Sequence, residues 1–107
     1  MKFKSDDYKK VRGGYSRLLD IQCGTCGYHL FLYQKDGPGI IKRMYLDRIF
    51  ESDTYSDKGY ASLEDIPQFI CPSCRDTLGI PYVYEKEKRF VLRPLAGAIT
   101  KKIVKSK

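Results

Sequence analysis

The sequence has no tryptophan, one histidine and two methionines in 107 residues, and it has no spare cysteine beyond a set of four. These scarcities narrow the function classes. With His29 the only imidazole, no glycine-rich phosphate loop, and no evident partner for Asp47 or Glu51, no catalytic constellation can be assembled from the sequence, so an enzyme is not expected. No stretch approaches the roughly 20 apolar residues that cross a bilayer. The opening Met1-Lys2-Phe3-Lys4-Ser5-Asp6-Asp7 lacks the apolar run of a secretory leader. The expectation is a cytoplasmic protein with no membrane partner.

What is present suits one folded domain: 42% hydrophobic and 13% aromatic residues, with nine Tyr and five Phe standing in for the missing Trp. The formal charge is +7, and four thiolates on one divalent cation would lower it to +5. A chain this short buries a modest core, so a metal staple would add much to its stability.

The four cysteines fall as Cys23-Gly24-Thr25-Cys26 and Cys71-Pro72-Ser73-Cys74. Thiols inside cells stay reduced, which favours a ligand set over two disulfides. Two Cys-x-x-Cys turns can aim four sulfurs at one tetrahedral ion, with zinc the first choice at one per chain. Gly27 after Cys26 suits the left-handed residue of a zinc knuckle. Arg75 takes that place after Cys74, where positive φ costs about 1 kcal/mol, so the second turn is expected to differ in shape. The 44 residues between the pairs add only about 1 kcal/mol of loop closure relative to a compact ribbon. Thioredoxin-like chemistry wants one such pair opening a helix, which the turn-rich flanks do not suggest. A rubredoxin-like iron site uses the same ligands, so iron stays open beside zinc. His29, three residues after Cys26, is a possible substitute ligand, but a fourth thiolate is already at hand.

Around the cysteines, short β-branched and aromatic runs alternate with turn residues, which predicts an all-β or β-dominated zinc domain. Residues 1–17 read as a basic arm and 18–107 as the domain, with an acidic loop over about 47–66 containing Asp47, Glu51, Asp53, Asp57, Glu64 and Asp65. One hairpin is expected from Tyr28–Lys35 and Ile40–Leu46 around Asp36-Gly37-Pro38-Gly39, and a second from Leu78–Tyr84 and Arg89–Arg93. Ser62-Leu63-Glu64-Asp65 can form a single capped helical turn before Pro67. The tail from Ile99 fits an edge strand or a frayed basic end. No internal repeat is visible.

Cys23-Gly24-Thr25-Cys26-Gly27-Tyr28-His29-Leu30 and Cys71-Pro72-Ser73-Cys74, with Leu78-Gly79-Ile80-Pro81-Tyr82, resemble the two zinc-binding segments of Yippee-type proteins. That resemblance implies a β-tent fold, two sheets joined at a zinc site; without it, a zinc ribbon with a long insertion remains. The related B-type methionine sulfoxide reductases need a further catalytic cysteine, which this sequence lacks.

Four thiolates close the shell of the metal, and a closed shell leaves no position for a reacting water. Binding is therefore the expected class. A basic, tyrosine-rich chain suits nucleic acid, ribosomal RNA included, through phosphate contacts and base stacking. Lys42, Arg43, Arg48, Lys86, Lys88 and Arg89 are the candidate contacts on the two hairpins. The rival is a protein-binding adaptor of the β-tent type, favoured by the acidic loop, which would repel phosphate.

Overall fold

Leu19, Ile21 and Cys23 alternate with Asp20 and Gln22, a pattern that buries one face of a strand. In the computed structural model these residues lie in β1 (Ser16–Cys23), with Leu19, Ile21 and Cys23 buried. The structure describes residues 16–37, 40–52, 54–55 and 60–104. The chain continues through β2 (His29–Asp36), β3 (Met44–Tyr45), β4 (Ile49–Phe50), β5 (Phe69–Ile70), β6 (Thr77–Tyr84), β7 (Arg89–Pro94) and β8 (Ile99–Ile103). Among the described residues the only helical pieces are single 3-10 turns at Leu46–Arg48 and Leu63–Asp65. None is long and apolar enough to cross a membrane.

The strands make two antiparallel sheets, ordered β4-β2-β1-β8 and β3-β7-β6-β5. The β-dominated class read from the sequence holds, and so does the hairpin β6–β7, paired from Gly79↔Pro94 to Tyr84↔Arg89. The other hairpin is different from the one expected. β2 pairs with β1 and β4, while β3 crosses to the second sheet and pairs with β7. The first cysteine turn is itself the hairpin connection, so β2 takes β1 as its partner before Asp36 is reached.

Packing between the sheets rests on aromatic residues contributed by both. Phe31 of β2 stacks on Phe69 of β5 with ring centroids 5.9 Å apart, and Tyr55 meets both edge-on at 6.2 and 6.3 Å. Each such pair adds about 0.5–1.5 kcal/mol beyond its buried area. Phe69 in turn lies over Gly79, where an added Cβ would stand 2.8 Å from its ring and 2.4 Å from the Arg93 carbonyl oxygen. A second link is polar: the Tyr45 N–H donates to the Tyr33 hydroxyl at 2.9 Å, tying β3 to β2.

The arm read over 1–17 falls mostly outside the described residues, although Ser16 and Arg17 open β1. Within the acidic segment, Leu46–Arg48 and β4 are ordered parts of the fold, and Asp53 and residues 56–59 lie outside the described residues. The single turn after Ser62 is present; its hydroxyl donates to the Asp65 carboxylate at 3.1 Å rather than capping the backbone. The tail is an edge strand, β8, paired with β1 from Leu19↔Ile103 to Cys23↔Ile99.

Candidate metal centre and cationic groove

Each cysteine pair sits on a turn whose backbone closes on itself. In the first, the Gly27 N–H donates to the Cys23 carbonyl and the Cys23 N–H to the Tyr28 carbonyl, both at 2.9 Å. In the second, the Arg75 N–H donates to the Cys71 carbonyl and the Cys71 N–H to the Asp76 carbonyl, again at 2.9 Å. The flanking ladders match too: Ile21↔Phe31 and Gln22↔His29 enclose a bulge, as do Phe69↔Gly79 and Ile70↔Thr77. Every element of the second knuckle lies 48 residues after its counterpart. This is a structural repeat that the sequence hides, because backbone bonds around the sulfurs define it and side chains other than cysteine do not.

The expected difference between the two turns is therefore overturned. Arg75 adopts φ 69°, beside 78° at Gly27, because the N–H that reaches the Cys71 carbonyl requires it. A side chain there costs on the order of 1–2 kcal/mol, partly offset by the smaller unfolded-state entropy of a non-glycine residue, about 0.4–1 kcal/mol. Arg75→Gly is expected to leave the cysteine cluster intact and raise the stability slightly, by up to about 1 kcal/mol, read as a higher urea midpoint. A clear loss of stability would mean that the Arg75 side chain contributes more than a turn position.

The four sulfurs converge. Cys23 Sγ lies 3.6 Å from Cys74 Sγ and Cys26 Sγ lies 3.6 Å from Cys71 Sγ, and all four fall within 4.8 Å of one another. Disulfides need about 2.05 Å, whereas a tetrahedron with metal–sulfur bonds of about 2.3 Å has edges of about 3.8 Å. The cluster thus fits a single structural metal ion. Each pair supplies one buried sulfur, Cys23 or Cys71, and one outer sulfur, Cys26 or Cys74. Gly24 lets the chain leading into β8 press against the first turn: its N–H donates to the Ala98 carbonyl at 2.8 Å, and a Cβ there would stand 2.7 Å from the Gly97 carbonyl oxygen.

Protonation follows from this crowding. The backbone N–H groups of Cys26 and then Thr25, aided by neighbouring thiols, outweigh burial and bring Cys23 down to about 7. A backbone hydrogen bond from Asp76 favours the Cys74 thiolate, yet burial and the adjacent sulfurs of Cys23, Cys71 and Cys26 push it up to about 12. His29 stands outside the cluster, its Nδ1 2.6 Å from Asp20 Oδ1.

The six basic residues singled out from the sequence separate into distinct environments. Arg48 is 2% exposed and faces Asp36, Nη1 to Oδ2 at 3.4 Å, so it is closed to any partner. Arg89 bridges Asp47 and Glu87 while its guanidinium lies 3.9 Å from the Tyr45 ring centre. Lys86 and Lys88 are exposed on the β6–β7 turn beside Glu85 and Glu87. Lys42 is exposed and Arg43 half-buried, stacked 4.0 Å from the Tyr84 ring centre with its Nε buried and unbonded.

Lys42 and Arg43 belong to a feature that sequence reasoning missed. A groove of about 1120 Å³ runs between residues 40–43, the β6 positions Ile80 and Tyr82, and the chain from Arg93 to Lys101. Lys42, Arg43, Arg93 and Lys101 line it, no carboxylate does, and none of the four forms an ion pair among the described residues. The register Ile80↔Arg93 places an exposed apolar residue beside an exposed cation, a pairing that only the β6–β7 alignment could have revealed. Compared with known proteins, the chain matches no family model, no curated protein and no solved structure.

Proposed function

We propose that this chain is a non-catalytic binding module, stapled by one zinc ion at Cys23, Cys26, Cys71 and Cys74, that takes an anionic partner in the groove. Zinc is favoured over iron because four closed thiolates on two tight turns are the ordinary structural zinc site, and nothing in the chain suggests electron transfer. The likeness of both knuckle segments to Yippee-type proteins, together with two sheets that meet at the sulfurs, supports a β-tent arrangement.

The observation that carries the binding reading is the groove itself: four cations, no carboxylate in the lining, and no ion pair to neutralise them among the described residues. Uncompensated charge of one sign in a concave site raises the local concentration of the opposite sign. Nucleic acid, which the composition suggests, is one such partner. The adaptor reading is favoured by the aliphatic walls of the groove, where Ile40, Ile80 and Leu95 are exposed.

Heparin chromatography tests the location. Lys42→Glu with Arg93→Glu is expected to elute at clearly lower salt than Lys86→Glu with Lys88→Glu, although both pairs change the net charge equally. Equal elution would remove the groove as the binding site.

A further inference from the structure

We infer that the groove takes an acidic, aliphatic peptide from another protein, held in extended form along β8. This rests on the anionic-partner reading above and names the partner's class.

The walls decide between peptide and nucleic acid. Ile40, Ile80 and Leu95 are 74%, 53% and 43% exposed, and all three converge on the groove. Single exposed aliphatics are ordinary, but a cluster in a concave site is a contact surface. Bases would instead need open aromatic faces. Tyr82 is the one aromatic in the lining, and the neighbouring rings of Tyr84 and Tyr45 already carry the guanidiniums of Arg43 and Arg89.

The edge supplies the geometry. Ile99, Thr100 and Lys101 of β8 form one wall, and among the described residues β8 pairs with β1 alone. An edge strand presents unpaired N–H and C=O groups along its open side, which an extended peptide satisfies by strand addition. Ile80 and Arg93 are cross-strand partners on one face, so the side chains of the added strand that enter the groove meet Ile80 and Leu95 with aliphatic groups and Arg93 and Lys101 with carboxylates. The same cations repel a basic segment.

The test is fluorescence anisotropy with the zinc-loaded full chain. The probe is a labelled peptide of about eight residues in which Asp or Glu and Val or Ile alternate within each face of the strand, long enough to cover β8 at about 3.3 Å per residue. Controls are the same peptide with Lys for the acids, the peptide N-methylated at alternate amides, and oligo-dT of about 12 nucleotides. The acidic peptide is expected to bind, to weaken about tenfold with Arg93→Glu plus Lys101→Glu and with Ile80→Asp, and to be lost on N-methylation. The Lys peptide and the oligonucleotide are expected not to bind. Metal content and far-UV circular dichroism establish that each variant, all at exposed positions, remains folded. Binding of the N-methylated or Lys peptide at full strength, or an acidic peptide indifferent to the groove variants, overturns the inference. Oligo-dT binding in place of the peptide overturns it while leaving the anionic-groove reading standing; binding of neither probe removes both.

Discussion

Cys71→Ser is expected to lose the metal and the fold together. A structural zinc site contributes about 10–16 kcal/mol in small peptides, as much as or more than the 5–15 kcal/mol net stability of a typical domain. Cys71 is 0% exposed and lies in the core beside Phe69 and Leu78, so no solvent contact softens the change. Native mass spectrometry should find one zinc on the wild-type chain and none on the variant, with near-ultraviolet circular dichroism lost in step. Chelation should reproduce the loss. So should acid, because ligation needs four thiolates and protons compete with the ion as pH falls. A folded, metal-free variant would end the staple reading.

Arg48→Met is expected to cost about 3–5 kcal/mol, since it removes the guanidinium that faces a buried carboxylate. Arg48 and Asp36 are the buried charged residues described in the core region, with side chains 3% and 2% exposed, and Gln34 Nε2 adds a long contact of 3.4 Å to the Asp36 carboxylate. Replacing both, as Arg48→Met with Asp36→Leu, should recover most of the loss, because well-packed apolar groups replace buried ion pairs at little cost. Urea titration of the two single variants and the double measures this. A double variant no more stable than Arg48→Met would show that the ion pair is not what holds this corner.

Arg48 also marks where sequence reading fails. On the sequence it is a surface cation on an acidic loop; in the fold the turn Leu46–Arg48 carries it inward, where it faces Asp36 on β2. The four-cysteine cluster was legible because the Cys-x-x-Cys spacing is local and the chemistry of four sulfurs admits few alternatives. The strand class was legible from alternation at Leu19, Ile21 and Cys23. Long-range partners were not: whether Met44 and Tyr45 pair with β2 or with β7 depends on residues almost 50 positions away. The groove was invisible for the same reason, since Lys42, Arg93 and Lys101 meet only after both sheets have formed.

The strand order β4-β2-β1-β8 carries a consequence for biosynthesis. The ribosome delivers β1 and its two cysteines first, the other two ligands 48 positions later, and β8, which lies against β1, later still. While the chain emerges, β1 has one open flank and half a coordination shell, each an invitation to non-native pairing. The basic character of Lys101 and Lys102 on β8 keeps this last strand soluble while it docks on the waiting β1. Assembly of the first sheet is thereby tied to the end of translation of this region, and the four-sulfur cluster is closed by a pair of turns that were made at different times.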